Sequence, residues 1–177
     1  MDHKQNTDAS VPSEEDWGDW ESDMEQEYAH SRFAGKSLED ARPLFESSIL
    51  GCAENIAYMP EVPFRYYIFG FRDYVMDPRR FQCMSADDSD GPSAFLKLLV
   101  STLRDQPARI LPVMNELLPV AEFVAKNQDK YEATEKIYGS FDLLLTEIKS
   151  LYNEARSADL AEQRPTVIIL PQNPDRR

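Results

Sequence analysis

A chain of 177 residues with a formal net charge of −13 is long enough for one domain and too acidic to bind nucleic acid or an anionic membrane, unless a basic patch is locally segregated. Cys52 and Cys83, the only cysteines, are too few for a disulfide scaffold and have no zinc or redox spacing, so they read as partly buried thiols in a reducing compartment. The opening MDHKQNTDAS has neither the basic nor the apolar region of a secretion signal, and no apolar run approaches the roughly 20 residues that span a bilayer, so cytoplasmic residence is the expectation.

The acidity is concentrated at one end. Residues 1–30 hold ten acids against Lys4 alone, whereas residues 31–177 hold 22 acids and 18 bases. Residues 1–32 are also poor in aliphatic side chains, which predicts an acidic arm that is disordered when alone. Within it, DWGDWESDMEQEY places Trp17, Trp20, Met24 and Tyr28 three, four and four residues apart, an arc of roughly 80° on a helix. Ser13 with Asp16 is a candidate cap. The same helix would carry like charges at Glu15/Asp19, Asp19/Asp23, Glu21/Glu25 and Asp23/Glu27, plus Gly18 in its interior, so it is predicted to fold only against a basic partner.

A helical domain is expected over residues 33–157. Ser37 with Asp40 reads as a helix start, and Phe45, Ile49, Cys52, Ile56 and Met59 share one helical face, ended by Pro60 and Pro63. The aromatic content of PFRYYIFGFRDYVM favours a strand, but Phe64, Tyr67, Ile68, Phe71 and Val75 form a helical stripe, and helix is the preferred reading. A polar loop should run from about Asp77 to Gly91, followed by a short helix with Pro92 at its first position. In PARILPVMNELLPVAEFVAKNQ the aliphatic pattern is helical while Pro112 and Pro119 interrupt it, which predicts a kinked or segmented helix. Asp129 and Glu132 read as a capping box for a last helix of about 25 residues carrying Ile137, Phe141, Leu144, Ile148, Leu151 and Ala155 on one face. Residues 158–177 are expected to form an extended tail, in which Val167 to Leu170 could add a strand to something or cover the core. The fold class is thus all-α: a single irregular bundle of about five helices with a disordered acidic N-terminal arm.

Chemistry is scarce in this pattern. Both histidines, His3 and His30, lie in or beside the arm, which removes Ser-His-Asp, Cys-His and HExxH arrangements from the folded part. The ADDSDG stretch at 86–91 fits a calcium loop only in part, because Ala86 stands at the first position and Lys97 at the twelfth, where a glutamate is required. The six glycines are dispersed, so no phosphate-cradling loop is present, and no metal or cofactor is implied. Arg65, Arg72, Arg79 and Arg80 form one small basic region, more simply read as helix-surface charge around core aromatics than as a nucleic-acid surface.

The leading expectation is a non-enzymatic binding protein that engages a basic protein partner, as an inhibitor, immunity-type antidote or adaptor would. Its site would comprise Trp17, Trp20, Met24 and Tyr28 with Asp16, Asp19, Glu21 and Asp23. The receiving groove belongs either to that partner or to this chain's own arginines. Two alternatives stand beside it: a nucleic-acid regulator, acting as an acidic mimic or through the arginine patch, and a carboxylate enzyme using groups such as Glu54, Asp73 and Tyr67.

Overall fold

The computed structural model describes residues 10–82 and 86–162, with side chains over 10–81 and 89–161. Cys83 and the Val167 to Leu170 segment lie outside the described residues. Helices α1 (Met24–Phe33), α2 (Leu38–Ser47), α3 (Ile49–Tyr58), α4 (Glu61–Met76), α5 (Ala86–Asp105), α6 (Pro107–Ile110), α7 (Met114–Lys126), α8 (Glu135–Tyr138) and α9 (Phe141–Glu162) account for most of them, and the described residues contain no strand. Seven of these helices have ten residues or more, against about five expected from the sequence.

One extra helix comes from a break. The Phe45 to Met59 stripe is wholly buried, but Ser48 adopts φ −164° and ψ 87°, so the stripe is carried on two helices. The break lets α2 lie along α4 while α3 lies along α5 and α1. At the start of α2 the predicted box is present: the Asp40 N–H donates to Ser37 Oγ at 3.1 Å, and the Ser37 hydroxyl donates to Asp40 Oδ2 at 2.6 Å.

The 64–76 stretch is helical, as its stripe predicts. In α4, Phe64, Tyr67, Ile68, Phe71 and Val75 are buried, and Pro63 sits in the first turn, where a missing N–H costs nothing. Aromatic edges link the layers, with Phe33 against Tyr67 at 5.0 Å and Phe71 against Phe95 at 5.4 Å between ring centroids.

The predicted 77–91 loop is corrected. Residues Pro78–Gln82 form a 3₁₀ turn and α5 already begins at Ala86, so Pro92 lies inside the helix instead of opening it. Close packing fixes the end of this stretch: a Cβ on Gly91 would stand 2.7 Å from Tyr74 Cε1 and 3.2 Å from Ile49 Cγ1. The glycine admits α5 to the α3 and α4 surfaces. Pro112 acts as expected, because α6 and a 3₁₀ turn at Leu111–Val113 precede α7, whereas Pro119 is accommodated within α7.

The last helix starts later and ends later than the sequence implies. Asp129 lies in a 3₁₀ turn, Glu132 takes the left-handed φ of 51°, and Ile137 sits on the short α8 with 74 % of its surface exposed. Gln128 supplies what the expected box does not. Its Nε2 donates to the carbonyls of Ala133 and Gly139, each at 2.8 Å, and its Oε1 accepts from the Phe141 N–H at 2.9 Å, closing the loop and capping α9. We expect Gln128→Ala to lower stability by about 1–3 kcal/mol, read as a shift in urea midpoint at unchanged slope. Helix α9 continues past Ala158 to Glu162, carried by the helix-favouring residues Ala158, Leu160 and Ala161.

Candidate functional site

Residues 10–33 belong to the fold, in contrast to the disordered arm expected over residues 1–32. They also do not form one helix. Glu14–Trp17 and Trp20–Ser22 are separate 3₁₀ turns, divided at Gly18, whose φ of 62° suits glycine, and followed by α1. The Ser13–Asp16 pair does cap the first turn: the Ser13 N–H and hydroxyl donate to Asp16 Oδ2 at 2.7 and 2.8 Å. Asp23 caps α1, its carboxylate accepting from the N–H groups of Glu25 and Gln26 at 2.9 and 3.1 Å.

Electrostatics give a reason for the breaks. A continuous helix would have stacked Glu15 on Asp19, Asp19 on Asp23 and Glu21 on Glu25, and the turns at Gly18, Asp19 and Asp23 take all three pairs out of helical register. The consequence for the site is that the stripe separates. Trp17 is 1 % exposed and packs on His30, at 5.1 Å and nearly edge-on, and on Tyr67, at 6.3 Å. Trp20 is half-buried and stacks flat on His30 at 3.8 Å. Met24 and Tyr28, one turn apart on α1, face solvent at 81 % and 55 % exposure.

Glu14 joins these parts. Its carboxylate accepts from Trp20 Nε1 at 3.0 Å and lies 2.9 Å from His30 Nε2. The hydrogen bond from His30, followed by the one from Trp20, holds the Glu14 carboxyl below the usual glutamate range. A depressed carboxyl pKa contributes stability above the ordinary carboxylate range, and that contribution is lost as the pH falls through the depressed value. We therefore expect Trp20 fluorescence to change in acid as the Glu14 bond is lost, and Glu14→Gln to flatten that change.

Asp19, Glu21 and Asp23 are exposed on the outside of this segment, with Glu15, Glu25 and Glu27, while Asp16 is half-buried against Ser13. Eight carboxylates thus fall from Glu14 to Glu27, and among the described residues only Glu14 has a basic side-chain partner, the His30 ring. The segment docks on its own chain through Trp17 and Tyr67, not through the arginines. Those are occupied elsewhere. Arg65 pairs with Glu61 at 2.6 Å and donates to the carbonyls of Ala108 and Arg109, Arg72 pairs with Asp73 at 2.7 Å, and Arg79 pairs with Asp77 and Glu46. Arg80 lies over the Tyr74 ring at 4.2 Å and reaches Glu46 at 3.8 Å. The four arginines are therefore parts of ion-pair networks.

Sequence reasoning missed Arg109. It is 8 % exposed, its guanidinium over the Phe64 ring at 4.2 Å, donating to the carbonyls of Ile56 and Ala57 at 2.9 Å each, to that of Met59, and to Gln106 Oε1 at 3.1 Å. It caps the C-terminal end of α3, and burial lowers its pKa to about 10, which leaves it charged at neutral pH. A fork of parallel donors facing carbonyls dozens of residues away in sequence leaves no local signal. Arg109 also lines a cleft of about 560 Å³ bounded by Asp23 and Gln26, by Tyr58 to Glu61 and by Gln106 to Ala108. A second groove of about 660 Å³ lies between α2 and α4, with Arg42, Glu46, Phe69, Arg72, Asp77 and Arg80 among its walls.

Of the groups named for an enzyme, Asp73 alone borders one of these clefts, the second. Glu54 is exposed on α3, Asp73 is exposed beside Arg72, and Tyr67 is buried with its hydroxyl 2.5 and 2.8 Å from the carbonyls of Phe33 and Lys36, its pKa pushed upward by burial. Glu14, Asp40 and Asp77, the described carboxylates displaced from their ordinary range, are all displaced downward. Cys52 is buried, and desolvation raises its thiol to about 11. The described residues contain no cluster of three or more His, Cys, Asp or Glu that could hold a metal ion, and no helix long and apolar enough to cross a membrane. Comparison with protein-family models, with curated proteins and with solved structures finds no match to this chain.

Proposed function

We propose that the protein is a non-enzymatic binding module whose acidic N-terminal face engages a basic protein partner, in the manner of an inhibitor, an immunity-type antidote or an adaptor. The observation that carries this reading is the row of carboxylates from Glu15 to Glu27, which is fixed on an ordered surface and has no cation paired to it among the described residues. Holding like charges together on a rigid scaffold costs free energy, and a cationic surface would recover it, steering encounter and weakening with salt. The role first given to the tryptophans changes within this reading. Trp17 and Trp20 anchor the face, and the exposed carboxylates with Met24 and Tyr28 meet the partner.

The arginine-patch form of a nucleic-acid reading has less support, because Arg65, Arg72 and Arg79 are already spent on carboxylates and carbonyls. A carboxylate enzyme has less support as well, with Glu54, Asp73 and Tyr67 apart in their surroundings and roles. The test is affinity capture on the full chain against a variant with Glu15, Glu21, Glu25 and Glu27 all changed to glutamine. A basic protein retained at low salt by the native chain and lost from the variant is the expected outcome; equal retention by both would place the site elsewhere.

A further inference from the structure

We infer that Met24 and Tyr28 form the apolar centre of the docking surface, and that its occupant is an amphipathic cationic helix of a partner protein, with an apolar stripe flanked by lysine or arginine. The inference rests on the acidic-face reading above and adds to it where the partner sits and what shape of chemistry it presents.

Helix α1 has two faces of opposite character. Ala29 and Phe33 are buried against the fold, and Gln26 and His30 lie to the same side. On the opposite side Met24, Tyr28 and Ser31 fall within about 60° of arc on a helical wheel, all exposed. Glu27 borders this strip on one side and Glu25 on the other, and neither is paired to a cation among the described residues. Arg32 covers one side of Tyr28, its guanidinium 5.7 Å from the ring centroid, but it is held back by a 3.0 Å hydrogen bond to Asn55 Oδ1 on α3. The strip is therefore apolar at Met24 and Tyr28, bordered by Glu27 on one margin and by Glu25 beside the tethered Arg32 on the other.

That pattern is the complement of a cationic amphipathic helix. Leucine-like side chains would cover Met24 and Tyr28, and a lysine or arginine on each side would reach Glu25 and Glu27. Methionine suits such a contact, since its unbranched, polarizable side chain adapts to different apolar surfaces. A partner with charge alone would leave the 81 % exposed Met24 in water, and a partner with apolar surface alone would desolvate the carboxylates unpaired. Only the combination satisfies both. The surface is also held in place before binding, because α1 is fixed by Phe33, by the Asp23 cap and by the Trp20–His30 stack.

Two synthetic helix-forming peptides of equal length and charge make the test: one with a leucine stripe flanked by lysines, the other with every leucine replaced by serine. Each is titrated into the full chain, into Met24→Ser with Tyr28→Ser, and into Glu25→Gln with Glu27→Gln. Both pairs are exposed, and unchanged thermal unfolding checks that each variant keeps the fold. The native chain should prefer the leucine peptide by about tenfold. The Met24/Tyr28 variant should lose that preference while keeping the salt-dependent affinity, and the Glu25/Glu27 variant should bind both peptides more weakly. A leucine preference that survives in the Met24/Tyr28 variant overturns this inference and leaves the acidic-face reading standing. Binding that ignores both salt and the Glu25/Glu27 change overturns the acidic-face reading itself.

Discussion

Replacing Trp17 by alanine should lower the stability of the folded chain by about 3–5 kcal/mol, the range for truncating a large buried aromatic. The indole is 1 % exposed and is the N-terminal segment's main apolar contact with α4, through Tyr67. Losing it removes the contact area and leaves either a cavity or an undocked segment. The two consequences differ in measurement. A cavity would show as a lower urea midpoint with protease resistance retained, whereas undocking would add rapid cleavage between Glu14 and Ser22. One feature moderates the native contribution: the Trp17 indole N–H is buried with no acceptor among the described residues, which costs about 1–3 kcal/mol. Trp17→Phe removes that donor and keeps most of the apolar area, so it should fall within about 1.5 kcal/mol of the native chain. A Trp17→Ala variant with native stability would show that the segment is not held by this side chain.

Removing Arg109 should cost about 3 kcal/mol or more. Arg109→Met keeps the length and apolar stem, yet it strips the donors from the carbonyls of Ile56, Ala57 and Met59 at the end of α3. Arg109→Lys should recover little of this, because a single ammonium cannot reproduce a planar fork that serves several carbonyls and stacks on Phe64. Burial already disfavours the charged guanidinium, as its lowered pKa indicates, so the measured loss is what remains after that desolvation is offset. Urea unfolding of both variants checks the prediction, and near-native stability for the lysine variant would show that charge alone suffices there. The damage should spread to neighbouring elements, since Arg65 anchors on the Ala108 and Arg109 carbonyls and Glu61 binds Arg65.

Such a variant would also probe the acidic face. Asp23, the cap of α1, borders the same cleft as Arg109, so loosening the α3 end bears on the residues that carry Met24. Trp17 is therefore a support of the surface that the proposed partner meets, and Arg109 shares a cleft with its Asp23 cap.

Several elements of this fold follow from local chemistry. The stripe Phe45, Ile49, Cys52, Ile56 and Met59 is apolar at helical spacing and is buried throughout, and the stripe on α4 outweighs the strand preference of its aromatics, because burying one continuous face satisfies both backbone and side chains. The Ser37–Asp40 and Ser13–Asp16 caps are local hydrogen bonds between residues three apart, so their residue types identify them. The concentration of carboxylates before residue 30 is likewise a property of the chain itself.

Other features were decided only when distant parts of the chain met. Periodicity placed Trp17, Trp20, Met24 and Tyr28 on one face, but Tyr67 and His30 draw the tryptophans inward while the turn at Gly18 releases the helical register. Low aliphatic content predicted disorder for this stretch, and one buried indole with a capped helix behind it supplied the order that composition lacked. The break at Ser48 and the Arg109 and Gln128 clasps have the same origin. Residue types set which short-range bonds and apolar faces were available. Which way each face turned was set by packing partners 10 to 53 residues away, because a helix buries whatever face its neighbours offer to cover.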